Sequence, residues 1–322
     1  MPIVPRPPAE TAAPLLLIVG PTASGKSALG LEVAERLDGE IVSADAFAVY
    51  RRMDIGTDTP SREARARIPH HMLDIADPGE RVTAGDFAHA AAAAIADIRR
   101  RGRVPIVVGG TNFWIRALLV GLFPVPPADP TLRARLRNEW VENQDAVVAR
   151  LRAVDPESAD RIAPRDRHRV LRALEVFELT GRPLSAHLAA HRPRLRYRPL
   201  LQAPERDRSD LYARIDLRVD SMFDAGFVGE VERLLEQAVP PDAHALKAIG
   251  YREVVSFLRG HQGLDQAIDS TKRSSRAYAR RQLMWLRTMR EARVDWVPPA
   301  ERSGAEVIIR AWARHIEGTA TT

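Results

Sequence analysis

The stretch "LLLIVGPTASGKSALGLEVAERL", Leu15–Leu37, places three signals in a row. Leu15 to Val19 is a short unbroken apolar run, the pattern of a strand buried on both faces of a parallel sheet. Gly-x-x-x-x-Gly-Lys-Ser follows at Gly20–Ser27, with Pro21, Thr22, Ala23 and Ser24 between the glycines. Gly20 and Gly25 permit tight turns that aim successive backbone N–H groups at phosphate oxygens. Lys26 adds a compact positive charge, and Ser27 offers an oxygen suited to Mg²⁺. From about Ser27 to Leu37 the spacing is helical and stops before Gly39, so the positive end of a helix also faces the anion.

Working outward, "EIVSAD" (Glu40–Asp45) reads as a second strand with Asp45 at its carboxyl end. Thr83 and Asp86 have the spacing of a capping box at the head of an alanine-rich helix. "VPIVVGGT" is a third strand ending at Thr111. Strands alternating with helices predict an α/β fold with a doubly wound parallel sheet, whose ligands sit beyond the carboxyl ends of the strands. The loop, Asp45 and Thr111 should therefore meet at one crevice.

"GLFPVPPADP" holds four prolines in ten residues and marks a boundary. From Thr131 to about Leu200 the pattern is helical, with fifteen arginines against nine acidic residues and no lysine. "RYRPLLQA" (Arg196–Ala203) then returns the chain to the sheet. The predicted division is a core of residues 1–120 and 201–322, and a helical insertion at 121–200. The ends, 1–14 and about 317–322, read as tails.

Composition narrows the class. The 322-residue chain has no cysteine, which excludes disulfides and thiolate chemistry and fits a reducing cytoplasm. No apolar run is long enough to span a bilayer, and the proline-rich start lacks the apolar centre of a secretion signal. A net charge of +6 favours a polyanionic partner. Two basic segments stand out. In "RDRHRVLRALEVFELTGR", Leu171, Leu174 and Phe177 form an apolar side, leaving Arg165, Arg169 and Arg172 toward the opposite or flanking face. In "STKRSSRAYARRQLMWLRTMR", Lys272, Arg276 and Arg280 recur every four residues as a stripe able to track phosphates, with Met284 and Trp285 assigned to the core. His70 and His71 are too isolated to suggest a metal.

The residues alone leave the chemistry open. Asp45 could cap a turn, accept a proton or bind Mg²⁺. The glycines before Thr111 serve close backbone packing or admit a substrate. A nucleotide hydrolase ends a buried strand with a Mg²⁺-directing aspartate, whereas this third strand ends in Gly-Gly-Thr, which suits a diphosphate that departs.

The blocks "GPTASGKS", "SADAFAVYRRMDIGTDTP", "HHMLDIADP", "VVGGTNFWIRALLVGL", "RVLRALEVFELTGRPLS", "RVDSMFDAGFVGEV", "LKAIGYREV" and "RQLMWLR" follow in order from about Leu15 to Trp296. Together they resemble the bacterial tRNA dimethylallyltransferase (isopentenyltransferase) family. The resemblance implies transfer of a dimethylallyl group from dimethylallyl diphosphate to N6 of adenosine 37 of tRNA. It also implies a nucleotide-kinase-like, P-loop NTPase-like core and an inserted helical domain gripping the anticodon stem-loop. Gly20–Ser27 would cradle the diphosphate with Mg²⁺ near Ser27, and Asp45 would take the proton from the adenine amine. Thr111 and Arg218, with Lys26, would stabilise the leaving group. Asp45, Ala46, Phe47, Ala48 and Thr111 would face the tRNA. Further tRNA contacts are implied at Arg133, at His168, Arg169, Val170, Leu171 and Arg172, and at Lys247, Ala248, Ile249, Gly250, Tyr251 and Arg252. A monomer is expected. Where the family often has Ser-Met-Gln after the aspartate, this chain has Ala46-Phe47-Ala48, which removes two polar side chains from the base-facing turn. Rival readings are a dimethylallyltransferase acting on free AMP, ADP or ATP, a small-metabolite P-loop kinase, and a non-catalytic RNA-binding protein.

Overall fold

The computed structural model describes residues 12–123, 125–126 and 129–317. Six parallel strands form one sheet: β1 (Pro14–Val19), β2 (Gly39–Ala44), β3 (His70–His71), β4 (Val104–Gly109), β5 (Arg198–Pro204) and β6 (Val294–Val297), in the order β3-β2-β4-β1-β5-β6. β1 is central, with Leu16–Val19 beside Ile106–Gly109 on one side and Pro14–Ile18 beside Arg198–Gln202 on the other. Alternation along β1 feeds two cores. Leu15, Leu17 and Val19 pack with Phe87, Trp114, Phe227 and Tyr251 on one face, while Leu16 and Ile18 pack with Leu29, Val33, Ile308 and Trp312 on the other. Chain order reverses about β1, which puts the ligand crevice at the carboxyl ends of β1, β2 and β4.

The helix after β1 spans Lys26–Arg36, and the alanine-rich helix Ala84–Arg100 begins with the capping box of Thr83 and Asp86. Two strands went unforeseen: β3, only two residues long, and β6, in a segment read as helical. The chain separates into two compact units, residues 1–121 with 195–322, and residues 122–194. The sheet-bearing unit thus resumes at 195 rather than 201, because β5 begins at Arg198 and pairs with β1. The expected tails at 1–11 and 318–322 lie outside the described residues, as do Pro124, Pro127 and Ala128 of the proline boundary. Of the expected first tail, Ala12 is buried and Pro14 pairs with Arg198 in the sheet.

Residues 122–194 form a separate small core of Leu136, Val147, Leu151, Val170 and Leu174. Its helices Pro130–Glu142, Gln144–Val154, Pro156–Arg161 and Arg167–Thr180 begin at Asp129, Asn143, Asp155 and Asp166, each accepting a backbone N–H of its own first turn. Among the described residues no helix is long and apolar enough to cross a membrane.

Candidate active site

The phosphate loop closes by local geometry. Gly25 (φ 91°) and Ala23 (φ 61°) take the left-handed conformation, and Lys26 starts the helix. Gly20 serves a different purpose from the turn expected of it: a Cβ there would collide with Ser24 Oγ. Behind the loop, Arg206 Nε donates to Ser24 O (2.7 Å) and Arg214 Nε to Ala23 O (3.2 Å). Arg206, its own side chain enclosed, is held by the exposed carboxylates of Asp210 and Glu301.

In front of the loop lies a cavity of about 320 Å³, lined among others by Thr22, Lys26, Ser27, Asp45, Arg218 and Tyr278. Lys26 Nζ donates to Pro21 O (3.3 Å). Burial and the neighbouring Arg218 cation push its pKa down to about 8, against the opposing pull of Asp45 and Asp58. Arg218 donates to Thr22 Oγ1 (2.7 Å) and Thr57 O (3.5 Å) and lies 3.5 Å from Asp58. Its guanidinium is thereby held beside the loop. Ser27 is exposed at the first turn of the helix.

Asp45 follows β2, and its Oδ1 accepts from Phe47 N (2.9 Å) and Ala48 N (3.3 Å). One oxygen therefore does cap a turn. Oδ2 has no hydrogen-bond partner among the described residues, which leaves it free to meet a substrate. Thr111 does not end a strand, because β4 stops at Gly109. It N-caps the helix Asn112–Val120, its N–H donating to Ala44 O (3.1 Å) and its Oγ1 accepting from Ala46 N (3.0 Å). Thr111 is thus fastened beside Asp45 without itself lining the cavity. Both glycines before it allow close approach, since a Cβ on Gly109 would strike Ala44 and one on Gly110 the Gln282 amide, and Gly109 also lines the cavity. Phe47 lines the cavity and stacks on His244 (6.0 Å between centroids), while Ala48 is buried.

The cavity residues missed in the sequence include Asp58 and His70, and Tyr278, Arg281 and Gln282 on the helix Leu264–Thr288. Burial and the Asp45 charge push the Tyr278 hydroxyl up to about 12, opposed by hydrogen bonds with Thr111 and Gln282.

The remaining expected contacts divide by exposure. Lys247 is exposed at the rim, and Ala248, Ile249 and Gly250 line the cavity. Tyr251 is fully buried and donates to Glu230 Oε1 (2.6 Å), so its side chain belongs to the core rather than to a tRNA surface. Glu230 also accepts the N–H groups of Asp54, Ile55 and Gly56, holding the loop over the cavity. Arg252 is held by Glu253 and Ser274.

In the helical unit, Val170 and Leu171 are likewise core side chains, since a contiguous run on a helix cannot face one partner. Arg133 and Arg172 both pair with Glu175, whose side chain is fully buried. His168, Arg169 and Arg165 are exposed. The stripe on the helix Leu264–Thr288 is largely neutralised, with Lys272 on Asp220 (2.6 Å) and Arg276 on Asp216; Met284 is 62% exposed, not core. His71 bonds buried Glu40 (2.6 Å), and among the described residues no group of three His, Asp or Glu could hold a metal.

Fold and site define a P-loop α/β protein whose glycine loop shares a cavity with the Asp45 carboxylate. The chain belongs to the IPP transferase family, whose family model matches residues 48–289. It is 47% identical over 294 residues to tRNA dimethylallyltransferase 1 of Trichlorobacter lovleyi, covering 90% of this chain and 95% of that one. It is 48% identical over 288 residues to the tRNA dimethylallyltransferase of Geobacter metallireducens, covering 88% and 92%. The crystal structure of a tRNA isopentenylpyrophosphate transferase from Bacillus halodurans superposes with a TM-score of 0.70 at 35% identity, over 95% of this chain and 97% of that one. A eukaryotic dimethylallyltransferase described as acting on tRNA gives 0.79 at 26% identity, over 93% and 78%.

Proposed function

We propose that this protein transfers the dimethylallyl group of dimethylallyl diphosphate to N6 of adenosine 37 in tRNA, releasing diphosphate. One observation carries the reading. A single cavity has Thr22, Lys26, Ser27 and Arg218 on its walls together with Asp45, whose Oδ2 is unpartnered among the described residues.

The exocyclic amine of adenine is a poor nucleophile because its lone pair is delocalised into the ring. Asp45 Oδ2 accepts the N6 proton as the N–C bond forms and the C–O bond to the diphosphate breaks. The allylic carbon bears positive charge readily, so the larger task is holding the departing diphosphate. Loop N–H groups, Lys26 and Arg218 do so from fixed positions, and Thr111 keeps the Asp45 turn in place through Ala46 N. The hard-oxygen donors at the cavity fit Mg²⁺, which keeps most of its ligands as water and phosphate oxygens; Ser27 would hold it, and the ion would neutralise diphosphate charge.

An adenine stacked in a helix is out of reach, so the base must be extruded, which costs least from a single-stranded loop. Exposed Arg165, His168 and Arg169 on the helical unit, and Lys247 at the cavity rim, supply contacts to the anticodon stem-loop. We place the enzyme in the cytoplasm, where this substrate is found, acting as a monomer. The test supplies labelled dimethylallyl diphosphate with tRNA, AMP or ATP in separate reactions. Label in tRNA alone is expected; label in AMP, or phosphoryl transfer from ATP, would contradict the assignment.

A further inference from the structure

Gln282 comes from a helix far along the chain, yet its amide sits between the two strand ends that build the site. Oε1 accepts from Thr22 N in the phosphate loop (2.9 Å), and Nε2 donates to Gly110 O after β4 (2.8 Å). The residue is buried, and its own backbone carbonyl accepts from Asn112 Nδ2 (3.3 Å), which pins the helix at that level. The fit is close. A Cβ on Gly110 would overlap the Gln282 amide and lie 2.8 Å from Gly20 O, so the glycine is what makes room for the bridge. Both ends lead to reacting groups. Thr22 Oγ1 holds Arg218, and Gly110 precedes Thr111, whose hydroxyl holds Ala46 beside Asp45.

We propose that Gln282 is a positioning residue for the transfer reaction: its amide fixes the separation of the diphosphate cradle from the Asp45 turn. The proposal rests on the prenyl-transfer reading above. An amide suits the task because it offers one acceptor and one donor on opposite sides of a planar group, matched to an N–H and a C=O. A leucine of similar volume fills the space and makes neither bond. A glutamate keeps the acceptor for Thr22 N but presents an oxygen to Gly110 O; only its protonated form restores the donor.

The experiment measures steady-state transfer to tRNA with full-length wild type, Gln282→Leu and Gln282→Glu between pH 6 and 8.5. Rates are expressed per folded enzyme, and each variant is normalised to wild type at each pH. Gln282→Leu should lose about 10- to 100-fold in kcat, the effect of a misplacement near 1 Å, with the KM for tRNA within twofold of wild type. Gln282→Glu should approach wild type as pH falls and diverge as it rises, a dependence that Gln282→Leu lacks. If Gln282→Leu does not fold, the Gln282→Glu profile decides. Wild-type kcat in Gln282→Leu, or a Gln282→Glu ratio flat with pH, would overturn the proposal. Failure of the wild type to label tRNA would instead remove the functional reading on which it stands.

Discussion

Lys26 gives the site a pH dependence whose size follows from its surroundings. Burial and Arg218 hold its pKa at about 8 rather than 10.5. The donor-free protein thus carries the ammonium in roughly nine molecules of ten at pH 7 and in roughly one of ten at pH 9. A bound diphosphate places negative charge against Nζ and raises the pKa, so binding above pH 8 takes up a proton. Affinity for dimethylallyl diphosphate without tRNA should therefore fall about tenfold between pH 7 and pH 9. Lys26→Met should bind weakly at pH 7 and show no such slope. Stability moves the other way. Because the folded pKa lies below the unfolded one, the ammonium destabilises the donor-free fold below pH 8. At 1.36 kcal/mol per unit the shift corresponds to an upper bound of about 3 kcal/mol, reduced in practice because the side chain is only partly enclosed. Lys26→Met should accordingly raise the unfolding midpoint at pH 7, with the gain shrinking as pH rises from 8 to 10.5. Calorimetric titration and urea unfolding across this range measure both effects. A wild-type affinity flat from pH 7 to 9, or a slope that survives in Lys26→Met, would refute the reasoning.

Two further outcomes follow from the helical unit. Glu175→Ala removes the buried partner of Arg133 and Arg172 and an acceptor for Asp129 N, and should destabilise that unit by about 1–3 kcal/mol, read from denaturant unfolding. Replacing exposed Arg165 and Arg169 with glutamine should weaken tRNA binding and reduce its log–log salt slope by roughly one for each phosphate no longer neutralised, with unfolding unchanged; an unaltered slope would make them solvated residues only.

Local patterns made the phosphate-binding half of the molecule legible. The apolar run, the glycine loop and the capping box each depend on neighbours within a few residues, and each formed where the sequence put it. What escaped depends on distant partners. Gln282 stands in "RQLMWLR", one of the blocks that carry the resemblance, but no local pattern there or at Tyr278 tells that their helix will reach the loop and the end of β4. β3 and β6 are too short to show a period, and they exist because β2 and β5 offer an edge. The pairing of basic residues was not legible either. Glu175 meets Arg133 and Arg172, and Asp220 and Asp216 meet Lys272 and Arg276, only in the folded chain. Carrying whole segments over from the resemblance also took in Val170, Leu171 and Tyr251, whose side chains turn inward.

Single-turnover transfer to saturating tRNA by Asp45→Asn, across a Mg²⁺ titration, tests the central claim most directly. The substitution keeps Oδ1 for the turn and replaces the proton-accepting oxygen with an amide. A rate lower by about two to four powers of ten, with donor affinity nearly unchanged and no recovery at high Mg²⁺, is the predicted result. Recovery with added metal would make Asp45 a Mg²⁺ ligand, and a rate near wild type would leave it a turn cap; either result contradicts its role as the base.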